Sequence, residues 1–154
     1  MELASYGISM YPLIREGDIS TFEVVDSNSL KVGQVYLFIN EDGALVGHRL
    51  HSIQQSQQSQ HSQPVVCNYL FKGDTCDELD SPVSRDSIIG HLIGVRRGTR
   101  WLPSDGIRAR WIGWMVQRAP GWSKLMRRLA RYRQVTLLAL RRQALSSPKR
   151  RNVR

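Results

Sequence analysis

The sequence has few of the residues that mark a disulfide-rich or metal-binding protein. Its two cysteines, Cys67 and Cys76, lack the paired C-x-x-C spacing of a zinc site or a redox motif. They could form one disulfide or remain two free thiols, and the sequence leaves both alternatives open. Neither a metal nor another cofactor is expected.

Long apolar segments are also missing. No stretch of about 18 consecutive apolar residues occurs, which argues against a membrane-spanning helix. Residues 1–6 have neither a basic n-region nor an apolar h-region, so a secretory signal peptide is not expected. These absences predict a protein that is cytoplasmic or bound peripherally to a membrane.

Positive charge is scarce in the first part of the chain. Residues 1–95 contain 5 Lys and Arg against 12 Asp and Glu, whereas residues 96–154 contain 17 against 1. The net charge of +9 therefore combines an acidic part with a strongly basic one. This asymmetry predicts a neutral-to-acidic folded domain followed by a segment that meets an anionic surface, with membrane headgroups and nucleic acid as candidates.

Residues 19–95 carry the pattern of an all-β domain. Short runs of β-branched and aromatic residues, including 21–25 and 35–39, alternate with turn residues. The segment Asn40-Glu41-Asp42-Gly43 contains the Asp-Gly pair that favours a tight hairpin, with residues 44–53 as the returning strand. Further strands are predicted at 65–71 and 88–95, and residues 54–63 form a Gln/Ser-rich loop.

After Gly98 the spacing of apolar residues becomes helical. Helices are predicted at 107–118 and 122–144, with a break at Pro120-Gly121. The second helix has an apolar face made of Trp122, Leu125, Met126, Leu129 and Tyr132, and an opposite basic face made of Lys124, Arg127, Arg128 and Arg131. The predicted organisation is a β domain over 1–97, a basic amphipathic helical extension over 98–145 and a disordered basic tail over 146–154.

One short segment has the features of a serine nucleophile. Ser9 lies in Gly7-Ile8-Ser9-Met10-Tyr11-Pro12, where the glycine and the proline would hold the hydroxyl on a stiff turn with its backbone N–H exposed. A serine hydroxyl is a poor nucleophile at neutral pH, so acyl transfer requires a base beside it and donors where the oxyanion forms. Taken alone, a serine in such a turn is more often only a turn residue.

Four segments in order resemble the boxes of the type I signal peptidases. The Ser9 segment, with Gly17-Asp18 after it, is similar to the Ser-Met-x-Pro box and the Gly-Asp that begins the catalytic β-fold. Residues 33–38 look like the strand that follows, although Gln34 replaces the usual acid, and Gly47-His48-Arg49 resembles the His-Arg box of the archaeal, endoplasmic-reticulum and sporulation-type branch. Residues 71–74 and 90–94 resemble the closing Lys-Gly-Asp box and its terminal strand, so the resemblance covers residues 5–97.

The resemblance implies a coiled antiparallel β-sheet domain and a serine endopeptidase that cleaves a signal or leader-type segment. Ser9 would be the nucleophile and His48 its general base. Asp80 would orient the imidazole, with Asp74 as the second candidate acid. The family belongs to the serine peptidase clan that also contains the self-cleaving SOS repressors.

The precursor substrate is expected to bind as an extended strand beside a sheet edge. Met10 and Pro12 are the predicted substrate-binding residues. Gly7 stands where many relatives place a second hydroxyl, so the oxyanion would depend on backbone N–H groups or on a neighbouring donor such as Ser5. The precursor is the expected partner of this site.

A second departure from the family pattern concerns membrane attachment. Relatives place a transmembrane helix before the serine, whereas here eight residues precede Ser9. The basic helices over residues 107–142, with their tryptophans, are expected to bind an anionic membrane surface instead, and nucleic acid is the less favoured partner.

Three alternatives to this interpretation stay open. Lys72 could form a Ser-Lys dyad with Ser9, since a desolvated lysine can act as a base. The chain could be a cytosolic regulator of the self-cleaving repressor type. It could also be a catalytically weak or inactive peptidase-like module that binds anionic lipid or nucleic acid through its C-terminal helices.

Overall fold

The computed structural model describes residues 1–25, 30–55, 67–119 and 121–146. Over these ranges the chain is mainly β, as predicted, with one antiparallel sheet of seven strands and two C-terminal helices. The strands are β1 (Glu2–Ala4), β2 (Ile19–Val24), β3 (Val35–Ile39), β4 (Leu45–Gln55), β5 (Cys67–Lys72), β6 (Ile88–Arg97) and β7 (Arg100–Pro103), and the helices are α1 (Ile107–Arg118) and α2 (Trp122–Ser146).

Strand β6 is the centre of the sheet. The strand order is β1-β2-β6-β3-β4-β5, and β7 pairs with β6 in addition. One edge of β6 pairs with β2, whereas its other edge pairs first with β3 and then with β7. The chain therefore leaves the sheet beside its central strand and enters α1 from there.

The hairpin between β3 and β4 forms at the predicted Asp-Gly turn. Gly43 has φ +76°, a left-handed conformation that glycine adopts without strain. The Gly43 N–H donates to the Asn40 carbonyl at 3.0 Å, and the Ala44 N–H donates to Asn40 Oδ1 at 2.7 Å. The hairpin fixes the register in which Tyr36 lies opposite His48 and Val35 lies opposite Arg49.

Both faces of the sheet are covered at β3, which explains its uninterrupted apolar run. Val35 and Leu37 belong to one hydrophobic core, together with Met10 of the Ser9 turn and Ala109 of α1. Tyr36 and Phe38 belong to a second core on the other face, with Leu50, Phe71 and Val83. The Ser9 turn and α1 therefore lie over the same face of the sheet.

Two strands were not predicted. Strand β1 is only three residues long, and β7 lies at the start of the segment predicted to be a helical extension. The Trp101 indole of β7 packs on Gly94 of β6, where a Cβ added to the glycine would lie 2.2 Å from the ring. The predicted helix at 107–118 is confirmed. Most of the predicted Gln/Ser-rich loop, Pro120 and nearly all of the predicted disordered tail lie outside the described residues.

Helix α2 divides the apolar face that the sequence predicts. Met126 is buried, together with the small residues Ser123 and Ala130, whereas Leu125, Leu129 and Tyr132 are exposed. The predicted apolar face is therefore only partly buried, because the helix docks through Met126 and two small residues rather than through its leucines. No helix in the described part of the chain is long and apolar enough to cross a membrane.

Candidate active site

Ser9 lies in a hydrogen-bonded turn between β1 and β2. The Tyr11 N–H donates to the Ile8 carbonyl at 3.1 Å, and the Ile14 N–H donates to the Met10 carbonyl at 3.0 Å. Gly7 enters the turn with φ +80°, a conformation that favours glycine. Met10 is buried in the core beneath, so the neighbouring Ser9 is held at the protein surface by an anchored backbone.

The Lys-Gly-Asp segment packs directly on the Ser9 turn. Thr75 donates its backbone N–H to the Ser9 carbonyl at 2.8 Å, and its hydroxyl lies 3.3 Å from the same oxygen and 3.1 Å from the Ile8 carbonyl. A Cβ added to Gly73 would lie 3.1 Å from Ser9 Cβ and 2.7 Å from Cys76 Sγ. Only glycine fits this contact without a shift of its neighbours, so the closing box supports Ser9 through backbone packing.

His48 and Asp80 form a hydrogen-bonded pair. His48 lies on β4, and its Nδ1 is 2.7 Å from Asp80 Oδ2, with side chains 11% and 30% exposed. The Asp80 N–H donates to the Phe71 carbonyl at 2.9 Å, which fixes the loop that carries the carboxylate. A neutral imidazole that donates Nδ1–H to Asp80 keeps Nε2 as its proton acceptor, the nitrogen that a general base needs.

Asp74 has a different partner, Arg49. Arg49 Nε donates to Asp74 Oδ1 at 2.8 Å and Nη2 donates to Oδ2 at 2.7 Å, a bidentate pair in which the Asp74 side chain is 0% exposed. Arg49 Nη1 donates to the Gly33 carbonyl at 2.6 Å. Consecutive residues of β4 point to opposite faces of the sheet, so His48 and Arg49 bind different acids.

Ser9 and His48 line the same cavity, whose volume is about 490 Å³. Met10 and Ser5 also line it, and Ser5 Oγ shares a hydrogen bond of 2.7 Å with Ser20 Oγ. Within the described residues Ser9 Oγ and His48 are not hydrogen-bonded to each other, and such contacts commonly tighten only when substrate is bound. The cavity thus brings together the predicted nucleophile, base and one predicted substrate contact.

Pro12 lies away from this cavity. It borders a separate, mainly apolar cavity of about 660 Å³ between the Ser9 segment and the helices, which Trp111 and Trp122 also line. Their rings meet edge to face with centroids 5.7 Å apart. Of the two residues predicted to contact substrate, only Met10 lies beside Ser9.

The remaining basic candidates lie elsewhere. Lys72 ends β5 in register with Arg49, and it is not among the described residues that line the Ser9 cavity. His51 is exposed beside a register shift between Leu50 and Ser52. His61 lies outside the described residues.

Sequence reasoning missed Thr75 and Arg127. Arg127 Nε donates to the Thr75 carbonyl at 2.8 Å, and its Nη1 lies 3.0 Å from Asp77 Oδ2. Helical spacing had assigned Arg127 to the basic face opposite the apolar one. Thr75 directly follows the Lys-Gly-Asp box, and this adjacency was the one signal for it.

Cys76 lies in the same loop. Both cysteines are free thiols. Burial raises the pKa of the Cys76 thiol, and the negative charge of Asp80 raises it further, whereas Arg127, a backbone hydrogen bond at Gly73 and Lys72 oppose the shift. The thiol is therefore protonated at neutral pH and a weak nucleophile.

No group of three or more His, Cys, Asp and Glu side chains in the described ranges is placed to hold a metal ion. A scan against protein-family models, a search of curated proteins and a search of solved structures each found no match to the chain. The geometry of the site is therefore the basis for assigning a function.

Proposed function

We propose that this protein is a serine endopeptidase of the signal peptidase type, which cleaves a signal or leader-type segment from a precursor protein. The observation that carries the proposal is the His48–Asp80 pair at 2.7 Å, with His48 lining the cavity that Ser9 also lines. Hydroxyl, imidazole and carboxylate in this order are the groups of a Ser-His-Asp hydrolase. The order of the sequence boxes over residues 5–97 supports the same family.

In the proposed reaction Ser9 Oγ forms a bond to the scissile carbonyl carbon while its proton passes to His48 Nε2. The carbonyl oxygen becomes an oxyanion, and its collapse breaks the peptide C–N bond as His48 returns the proton to the leaving amine. Water then attacks the acyl-enzyme carbonyl while its proton passes to His48. The ester C–O bond breaks as His48 returns a proton to Ser9 Oγ, which releases the acid product. Asp80 holds the imidazole in the Nδ1–H tautomer and stabilises the imidazolium.

Backbone donors of the Ser9 turn are suited to the oxyanion. The Ser9 N–H donates to no backbone carbonyl of the described residues, whereas Thr75 fixes the carbonyl on the other side of the same residue. A turn whose N–H has no backbone acceptor and whose carbonyl is held by a hydrogen bond can provide a preorganised donor. Ser5 is a second donor that lines the cavity, although its hydroxyl is shared with Ser20.

Strand β1 offers the place for an extended substrate. It is the end strand of the sheet, and its residues Leu3 and Ala4 line the Ser9 cavity. An edge strand presents unpaired backbone groups to which a peptide can add as a further strand. A substrate bound there would place its scissile bond near Ser9.

The proposal is tested by cleavage of a panel of precursors that carry signal or leader segments. The native chain is compared with Ser9→Ala, His48→Ala and the matched control His51→Ala, which removes an exposed imidazole from the same strand. We expect cleavage by the native chain and by the control, and a fall of at least about 10³-fold in kcat for each site variant.

Mass spectrometry of the products identifies the cleaved bond. Equal rates for the native chain and the site variants, or no cleavage by any of them across the panel, would refute the peptidase assignment. The second result would leave the alternative of an inactive peptidase-like module.

A further inference from the structure

The solvent-facing side of α2 presents apolar and basic side chains next to each other. Leu125, Leu129 and Tyr132 recur at helical spacing and are 51%, 46% and 76% exposed. Lys124, Arg128 and Arg131 recur at the same spacing, one position earlier, and are exposed as well. Because successive residues are rotated by about 100°, the basic row lies along one border of the apolar row. These six residues are called the α2 outer surface.

The opposite side of α2 is occupied by the protein itself. Ser123, Met126 and Ala130 are buried, and Gln134 Nε2 donates to Glu16 Oε2 at 3.2 Å. The α2 outer surface is therefore the side of this helix that does not pack against the rest of the protein.

The charged side chains of the two helices themselves are all basic. No Asp or Glu occurs anywhere in residues 106–154. Trp111 and Trp114 of α1 are exposed as well, and tryptophan is enriched at the boundary between water and lipid. A helix with an apolar row, bordering Lys and Arg, and no acidic residue has the composition of a helix that lies in the plane of a membrane interface.

We propose that the α2 outer surface docks on an anionic lipid bilayer. Leu125, Leu129 and Tyr132 enter the boundary between headgroups and acyl chains, while Lys124, Arg128 and Arg131 pair with lipid phosphates. A nucleic acid would use the basic row but leave the apolar row in water. A second copy of the same surface would bring two basic rows together without counter-charges. The proposal does not depend on the peptidase assignment.

Docking in this way sets the position of the candidate active site. The inner side of α2 lines a cavity with Tyr6, Gly7 and Ile8 of the Ser9 turn. The bilayer would therefore lie about one helix diameter, roughly 10 Å, from that turn.

The test is co-sedimentation of the full chain with vesicles of phosphatidylcholine, with and without phosphatidylglycerol. One triple variant removes the apolar row (Leu125→Gln, Leu129→Gln, Tyr132→Gln), and a second removes the basic row (Lys124→Gln, Arg128→Gln, Arg131→Gln). The matched control replaces two exposed apolar residues that are far from α2 in the sequence, Val24→Gln and Val32→Gln. All substituted side chains are exposed, and thermal unfolding checks that each variant remains folded.

We expect the native chain and the control to bind anionic vesicles and not neutral ones, and each triple variant to bind at least about tenfold more weakly. Full binding by the apolar-row variant would overturn the proposal, because attachment would then be electrostatic only. The proposal also fails if the native chain does not bind vesicles. Binding to duplex DNA or RNA would then identify nucleic acid as the partner. A dimer that the apolar-row variant abolishes in sedimentation equilibrium would instead identify a second copy of the chain.

Discussion

Arg127 is connected to the candidate nucleophile Ser9 by two hydrogen bonds through Thr75. Its Nε donates to the Thr75 carbonyl at 2.8 Å, and the Thr75 N–H donates to the Ser9 carbonyl at 2.8 Å. The ion pair with Asp77 at 3.0 Å holds the same loop at a second point. The second helix is therefore part of the framework that positions Ser9 and the loop that carries Asp80.

Arg127→Gln removes the ion pair and weakens the bond to Thr75. We expect kcat for precursor cleavage to fall roughly 10- to 100-fold with little change in KM, because misplaced groups lose transition-state contacts. Arg127→Lys should recover part of the loss. Arg118→Gln, an exposed residue at the end of α1, is the control and should cleave like the native chain.

A readout that needs no catalysis accompanies this variant. Cys76 lies in the loop held by Arg127, so loosening the loop should speed its alkylation by iodoacetamide in a Cys67→Ser background, measured by mass spectrometry. Unchanged alkylation in Arg127→Gln would show that the helix does not hold the loop.

Asp80→Asn should slow catalysis without weakening substrate binding, because Asp80 orients the His48 imidazole. The amide cannot stabilise the imidazolium and favours the wrong tautomer, so kcat should fall by about 10²- to 10⁴-fold while KM stays similar. Asp80 is 30% exposed, and the loss of folding stability should be small. Steady-state kinetics checks the prediction against Asp86→Asn, an exposed carboxylate at the turn before β6. Equal kinetics for both variants would remove Asp80 from the site.

Asp74→Asn should affect stability instead. The bidentate pair with Arg49 is buried, and the variant leaves the guanidinium without its counter-charge. Breaking a buried pair in this way costs about 3–5 kcal/mol of unfolding free energy. Glu2→Gln breaks the exposed pair with Arg96 and should cost less than about 1 kcal/mol. Urea unfolding measures both, and a cost for Asp74→Asn no larger than for Glu2→Gln would contradict the prediction.

The raised pKa of Cys76 predicts a loss of stability in alkaline solution. Burial, then Asp80, keep the thiol neutral in the folded state, so folding gains from this group below its ordinary value of 9.0 and loses the gain as pH rises through the higher folded pKa. Burial raises the pKa of Tyr36 in the same direction from 10.0. The unfolding free energy should therefore fall above about pH 9, and less steeply in Cys76→Ser. Identical slopes for the two proteins would contradict this assignment.

Much of the sheet could be predicted from local patterns. The Asp-Gly turn fixed the β3–β4 hairpin, and this hairpin in turn places His48 and Arg49 on opposite faces. Strand β1 was missed because three residues carry no measurable alternation. Strand β7 was missed because it is stabilised by a tertiary contact with β6, where Gly94 leaves room for Trp101. Local sequence does not show such a contact.

The family resemblance favoured Asp80 over Asp74 as the partner of His48, whereas residue spacing alone could not distinguish the two acids. Asp74 and Asp80 lie six positions apart in one polar segment, and only the path of the loop decides which one meets His48. The docking side of α2 could not be predicted either. Apolar periodicity favours leucines as the buried side, but close approach to the Ser9 turn requires small residues such as Ala130.

Because Arg127 follows the β domain in the sequence, its contact with Thr75 can form only after the rest of the candidate site has been synthesised. A nascent chain that has emerged as far as β6 already contains Ser9, His48 and Asp80, yet it lacks the guanidinium that holds the Thr75 carbonyl. Its site loop is then secured on one side only. The site becomes fully assembled once residue 127 has left the ribosome and α2 has folded back, so a chain that stalls between the two would carry its chemical groups without their final support.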